Sequence, residues 1–433
     1  MVTFSLNHLT QSTVARNTAW MLAARGVRLA LQAAYFIIIA RCLGPEQYGA
    51  FVAAAAIVGI IAPFAAIGTG YLLVKNVSRD PKLLSECWGN SLLVTCTSGI
   101  VLLLAIVLCA QWLLPSSVPV WVILFIGVAD LVFARILETA GLAFQAHDRL
   151  SRTAQLNVLL NLLRVLAALP LLLLSGRADA TTWAFCYLAS TLVAAITALA
   201  LVNRELGHPR INFARILGEL GEGMHFSIGL SAQGVYNDLD KSMLARFATL
   251  QAAGFYGAAY RIIDLAFAPV GSLVYATYAN FFRHGSDGIN ATSRYARRLL
   301  LYAGLYCIVA LVLMHTMAPV LPYILGEDFS GAVAVIEWLA ILPLLKAFHY
   351  FAANALTGAG FQGTRSAVQV GVAVFNFAMN LWLIPAYSWK GAVCSSLASD
   401  GLLALALWVA VCVLSKRPVQ ASPARRKLRP ETV

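Results

Sequence analysis

The sequence predicts an all-α polytopic membrane protein, with twelve transmembrane helices in two homologous six-helix lobes around a central cavity. Of its 433 residues 60% are hydrophobic and only 12% charged, and the mean hydropathy is +0.77; soluble globular chains lie far from these values. The apolar runs last about 20 residues or more, enough for a helix to cross a bilayer, whereas barrel strands would alternate over about 10. The chain also repeats itself at close to half its length. Ala40-Arg41-Cys42-Leu43-Gly44-Pro45-Glu46-Gln47-Tyr48-Gly49 aligns with Ala245-Arg246 through Tyr256-Gly257, and Ala143-Phe144-Gln145-Ala146 with Arg149 matches Gly360-Phe361-Gln362-Gly363 with Arg365. Internal repeats of this kind build membrane folds of two related halves.

In chain order the spans are predicted near 18–40, 48–74, 89–113, 119–145, 154–174, 183–203, 224–246, 255–281, 299–319, 332–357, 367–386 and 391–414. This divides the chain into an N-terminal lobe, 1–203, a cytoplasmic linker, 204–223, a C-terminal lobe, 224–415, and a basic cytoplasmic tail, 416–433. The connections are too short for a soluble catalytic domain. No cleavable signal is evident, so the first helix reads as its own targeting signal.

Orientation follows from the loops. Lys and Arg crowd the segments that are inside if both termini are cytoplasmic, such as Arg283, Arg294, Arg297 and Arg298, while the outer loops and helix ends hold only Arg41, Arg177, Arg246 and Lys390. Trp112, Trp121, Trp183, Trp338 and Trp389 fall near outer ends of spans, and Trp20 and Trp88 near inner ends, as interfacial aromatics do. The net charge of +12 is thus largely a topology and membrane-surface signal, and nucleic acid is not an expected partner. Eight cysteines without CxxC spacing read as small apolar fillers. No metal site or cofactor is expected.

Charges within the spans carry the functional signal. Arg25, Arg28, Arg135, Arg164, Lys241, Arg261 and Lys346 all lie inside predicted helices. Left facing lipid they would together cost roughly 20 kcal/mol, so they must face the interior, a cavity or one another. Their neighbours form polar stripes. Thr18, Arg25, Arg28 and Gln32 share one face of the first helix; Asn157, Asn161 and Arg164 follow helical spacing in the fifth; Gln233, Asn237, Asp240 and Lys241 do so in the seventh; Gln369, Asn376 and Asn380 do so in the eleventh. The tenth adds Lys346, Tyr350, Asn354 and Thr357, with His349 about 60° around the helix. Such stripes from both halves suggest one polar cavity, suited to an anionic, hydroxyl-rich substrate. Guanidinium groups pair with phosphate bidentately, and Asn and Gln amides hydrogen-bond sugar hydroxyls.

Structural readings stand beside this one. Asp130, Glu138, Asp238, Asp240, Asp264, Glu337 and Asp400 also lie within spans and balance the bases. Arg135 and Glu138, three residues apart, read as a structural ion pair. Asp240, Lys241, Arg261 and Asp264 fit either a salt-bridge cluster, which could act as an outer gate, or a ligand site. Asp130, Asp240 and Asp264 are candidates for ion coupling or gating. His349 fits a packing histidine as well as a proton relay. Pro63, Pro269 and Pro343 fit either kinks at which the halves flex or ordinary membrane-helix packing. No GxSxG, HExxH or Walker loop is present, so the chain reads as a non-enzyme.

With A-R-x-L-G-P-E-x-Y-G at 40–49 and N-x-x-D-K-x-M-L-A-R-F…A-G-x-Y-G-A-A-Y-R-I at 237–262, nearly the whole chain resembles the polysaccharide transporters of the multidrug/oligosaccharidyl-lipid/polysaccharide flippase superfamily, and within them the Wzx-type O-antigen and exopolysaccharide flippases. The resemblance implies a flippase of the bacterial inner membrane. Its cargo would be an undecaprenyl-diphosphate-linked oligosaccharide, moved from the cytoplasmic to the periplasmic leaflet by alternating access, with H+ or Na+ as the driving ion. Asp240, Lys241 and Arg261 fall on the family pattern; Arg28, Arg164, Lys346 and Arg25 join them as expected cavity cations, with Gln32, Asn157, Asn161, Asn237, Asn376 and Asn380 as cavity polar groups. The equal number of intramembrane acids departs from a uniformly cationic cavity. A multidrug and toxin extrusion antiporter of the same superfamily is the alternative.

Overall fold

The computed structural model describes residues 13–174 and 178–416, with side chains from residue 26 onward except at 174, 229, 232 and 233. The elements are α1 (Thr13–Ala66), α2 (Thr69–Val77), α3 (Leu84–Leu113), α4 (Val120–Val128), α5 (Ala134–Ala146), α6 (Leu150–Ala168), α7 (Ala180–Glu205), α8 (Phe213–Phe247), α9 (Leu250–Gly285), α10 (Ile289–Met317), α11 (Leu321–Leu325), α12 (Ser330–Leu339), α13 (Leu342–Gly358), α14 (Gln362–Tyr387) and α15 (Trp389–Ser415). Short 3-10 turns join some of them, and a π-helical turn, Ala129–Phe133, joins α4 to α5. The described residues contain no strand. The protein is an all-α, multi-pass membrane protein.

Nine helices among the described residues are long and apolar enough to cross a membrane, ten when α12 and α13, bent by 43°, count as one span. The expected twelve map onto these without a one-to-one count. Helix α1 covers the first two expected spans: its 54 residues deviate from helical geometry only at Gly44 (φ 68°, ψ 173°), just before Pro45. A single helix of that length would run about 80 Å, far beyond a bilayer core of about 30 Å. The second expected span, 48–74, stops short at Ala66, because Ile67 and Gly68 take left-handed backbone before α2. Helix α8 matches the seventh expected span but is not among the nine. It also starts early, at Phe213, capped by Asn212, whose side chain accepts from the Arg215 amide at 3.3 Å. Half of the expected 204–223 linker is therefore helix, held by Lys75–Glu222 at 2.6 Å and Asn76–Glu219 at 2.8 Å.

The chain forms two compact units. The first comprises Met1–Ala259, Pro319–Val335 and Asn380–Ala392. Here the two copies of the repeated motif lie against each other. A Cβ on Gly49 would fall 1.8 Å from the Leu250 carbonyl oxygen, and one on Gly254 would fall 1.9 Å from that of Pro45. Small residues bring the backbones together, as membrane helix packing requires where no hydrophobic drive exists. Hydroxyls of α8 complete the seam with α1: Ser227 donates to the Pro63 carbonyl at 2.9 Å, Ser231 to Ile60 at 2.7 Å and Ser242 to Ala53 at 3.0 Å. Phe51, Trp183 and Tyr187 pack edge to face beside them with centroids about 6 Å apart.

The second unit comprises Tyr260–Ala318, Ile336–Met379 and Val393–Val433. Helices α10 and α13 pack along their length, and Gly285 of α9 meets the Gly358 carbonyl so closely that a Cβ would lie 1.8 Å from it. In both units large apolar side chains point outward. Val101, Leu104 and Leu108 on α3, and Leu301, Leu305 and Leu313 on α10, are more than half exposed at helical spacing, the lipid-facing stripes of a membrane protein.

Candidate functional site

Within the first unit, α1, the π-helical turn, α5, α6 and α7 line a half-open cavity of about 500 Å³. Its lining carries Asp130, Arg135, Glu138, Asn157, Arg164 and Tyr187 among small and aliphatic neighbours. Asp130 sits in the π-helical turn, where an extra residue per turn re-aims side chains and often marks a functional position.

The chemistry centres on Tyr187. Its hydroxyl donates to Asp130 Oδ1 at 2.9 Å and accepts from Arg164 Nη2 at 2.6 Å, while the guanidinium carbon lies 4.2 Å from the ring centroid. Acid, phenol and base from three elements thus form one chain beside the cavity. Arg135 and Glu138 pair at 2.5 Å on the same lining, so the structural ion pair expected from the sequence is present and borders the cavity. Two bases face two acids. Asn157 donates to the Thr153 carbonyl at 2.9 Å and Asn161, buried, to that of Asn157 at 2.7 Å.

The other expected residues distribute as follows. The side chain of Arg25, like that of Gln233, lies outside the described residues. Arg28 and Gln32 are half-buried on α1 and are not part of this lining. On α8, Lys241 is buried, pairs with Asp238 one turn earlier and donates to the Asn237 carbonyl at 3.3 Å. Asp240 is buried too, and accepts from the Tyr256 hydroxyl of α9 and the Lys241 amide. In the second unit, Lys346 lies 3.6 Å from Asp264 and 5.5 Å from the Tyr260 ring centroid, and Arg261 is exposed on α9. Asn376 is buried and donates to Ser399 Oγ at 3.0 Å; Asn380 is fully buried on the same helix. Among the described residues no cluster of three His, Cys, Asp or Glu side chains converges as a metal ion would need.

The sequence reading missed the tyrosines. Tyr187, Tyr256 and Tyr260 have no site role in it, yet each meets an expected charged residue. A phenol in a lipid-spanning helix needs a partner for its hydroxyl, and that was the available signal.

Charged groups of both signs are thus gathered on a cavity inside a helical membrane unit. The chain belongs to the polysaccharide biosynthesis protein family, whose model matches residues 14–283. No curated protein matches the sequence. Among solved structures the chain is similar to an inward-facing multidrug resistance MATE family transporter of the MOP superfamily, with TM-score 0.72 and 14% identity over 90% of this chain and 96% of that one. It is similar to the lipid II flippase MurJ in an inward closed conformation, with TM-score 0.71 and 9% identity over 92% and 87%. A MOP superfamily transporter from Pyrococcus furiosus, whose binding pocket is described as having reverse polarity, gives 0.62 and 14% over 93% and 96%. At these identities the likeness is one of fold.

Proposed function

We propose that this protein is a flippase that moves an undecaprenyl-diphosphate-linked oligosaccharide from the cytoplasmic to the periplasmic leaflet of a bacterial inner membrane, for O-antigen, capsule or exopolysaccharide synthesis. Both termini face the cytoplasm, 1–203 and 224–415 act as the two lobes, and an H+ or Na+ gradient drives alternating access. The observation that carries this reading is the Arg164–Tyr187–Asp130 chain on a cavity of about 500 Å³ in a polysaccharide-family chain.

The balance of charge suits a reversible site. An empty cavity with unpaired guanidinium groups in low dielectric would be costly, and Asp130 and Glu138 offset Arg164 and Arg135 until an anion arrives. A diphosphate then competes for the guanidinium with a fork geometry that the phenol cannot match. Asn157 and the hydroxyl of Tyr187 supply partners for sugar hydroxyls. Lys241, Arg261, Lys346, Arg28 and Arg25 remain candidate cations along the path, and Asp130, Asp240 and Asp264 candidate coupling or gating acids. The test is export of surface glycan in cells whose only copy carries Arg164→Gln. Normal export at normal protein level would remove the cavity from the pathway.

A drug or cation antiporter is the second reading, favoured by the Asp130 and Glu138 carboxylates on the same lining. It predicts that deletion changes drug tolerance and leaves the surface glycan intact.

A further inference from the structure

His349 of α13 and Asp400 of α15 take no part in the cavity. His349 Nε2 lies 2.9 Å from Asp400 Oδ1, with side chains 7% and 5% exposed. The approach is one of distance only: among the described residues neither atom makes a hydrogen bond of good geometry, to the other or to a third group. Each sits near the middle of its helix; α15 is long and apolar enough to cross a membrane, and α13 is one half of the bent pair with α12.

The groups around it leave it as a separate unit of charge. On α13, Lys346 stands one turn before His349 and is engaged with Asp264 and the Tyr260 ring of α9. The Tyr350 ring packs 4.7 Å from the imidazole and is covered by Phe267 of α9 at 5.5 Å. From α14, Asn376 gives a neutral amide to Ser399, the residue before Asp400, and Arg365 binds Thr357, two turns beyond His349. From α10, the Cys307 thiol is donated to the Pro343 carbonyl. Lys390, near its start, is the other charged residue of α15.

With neutral imidazole and ionised carboxylate the pair carries one negative charge in a medium that penalises net charge. One proton brings it to neutrality, whether it rests on the imidazole or on the carboxyl, and belongs to the pair as a whole. Release requires a conformation that admits water. We propose that His349 and Asp400 form a proton-binding site that loads and unloads one proton per transport cycle. This rests on the transport reading above and names its driving ion and where that ion is held. The backbone geometry also gives the site a way to be felt along two helices: Trp408 of α15 donates its indole N–H to the Phe348 carbonyl, beside His349, at 3.1 Å.

The experiment counts protons. The full chain, purified in detergent and weakly buffered, is taken from about pH 5 to about pH 9, a range that spans histidine's charge change, and the protons released are read with a dye. The double variant His349→Gln/Asp400→Asn is expected to release one proton fewer per molecule than the wild type. If the double variant does not fold, Asp400→Asn alone carries the test with the same deficit. Equal release by folded variant and wild type overturns the site. In cells, collapsing the proton gradient is expected to lower wild-type glycan export by about tenfold and to leave the residual export of the folded variant unchanged; an equal fall in both overturns the coupling. A proton deficit in a protein whose deletion leaves glycan export untouched would sink the flippase reading and leave the proton site standing.

Discussion

In the first unit Arg164, Tyr187 and Asp130 reach one another across three elements beside a cavity of about 500 Å³; in the second, His349 and Asp400 meet across two helices at 7% and 5% exposure. Both place acid and base in the membrane, and both lower the penalty of doing so by pairing. The difference lies in what can replace a partner. A network that borders open volume can exchange a protein group for a ligand group, whereas a pair buried to that degree can exchange little besides a proton. On the reading proposed above, the cavity would serve binding and the buried pair proton coupling.

Substitutions can break this contrast. The largest effect comes from packing that serves both systems. Gly254→Val would drive a side chain into the Pro45 carbonyl, which already lies 1.9 Å from where a Cβ would stand; with a loss of more than about 3 kcal/mol, folded protein should fall sharply, and export and proton release with it in proportion. Arg164→Gln comes next. Losing a charge-assisted contact of about 1.5–3 kcal/mol should lower glycan export by about 10- to 100-fold at normal protein level, while leaving the proton count of the second unit unchanged. Tyr187→Phe removes only the hydroxyl between Arg164 and Asp130, and a loss of about 1 kcal/mol should lower export about fivefold. Combined with Asp130→Asn the two effects should be non-additive, as in any shared network, and a double-mutant cycle in the export assay reads this directly.

The smallest effect is expected at Asp179, which caps α7, the helix that carries Tyr187. Its carboxylate accepts from the Thr182 amide at 2.8 Å and hydroxyl at 2.6 Å. Burial pushes this carboxyl up, but the Thr182 bonds outweigh it and hold the group below the ordinary carboxylate range. A depressed folded-state value means that the cap's contribution is present above the ordinary Asp value and is lost as pH falls through the folded one. Asp179→Ala should lower thermal stability by about 1 kcal/mol near neutral pH, less in acid, with export little changed.

How far residues alone lead differs between fold and site. Apolar run length, loop charge and the repeated motif led to an all-helical membrane fold because bilayer thickness and backbone hydrogen bonding leave few alternatives. They misplaced the end of the second span, since the stop at Ile67 and Gly68 depends on the close approach of Gly223, with Gly68 2.4 Å from its carbonyl oxygen by an added Cβ. Length alone does not encode that contact. At the site, helical spacing put Asn157, Asn161 and Arg164 on one face of α6, of which Asn157 and Arg164 border the cavity, but could not say that Tyr187 of α7 would close the bond to Asp130. Periodicity reports which residues share a face, and it is silent on which face of another helix they meet. His349 and Asp400 illustrate the same limit: each was visible as an ionisable residue in a span, and their pairing depends on how α13 and α15 pack.

The first measurement to make is the leaflet in which the lipid-linked glycan resides. In cells lacking this protein, the diphosphate-linked oligosaccharide is expected to accumulate with its sugars facing the cytoplasm, and the intact gene, but not the Arg164→Gln variant at equal protein level, is expected to return it to the periplasmic face. No accumulation in the deletion strain, with surface glycan unchanged, would contradict the flippase assignment.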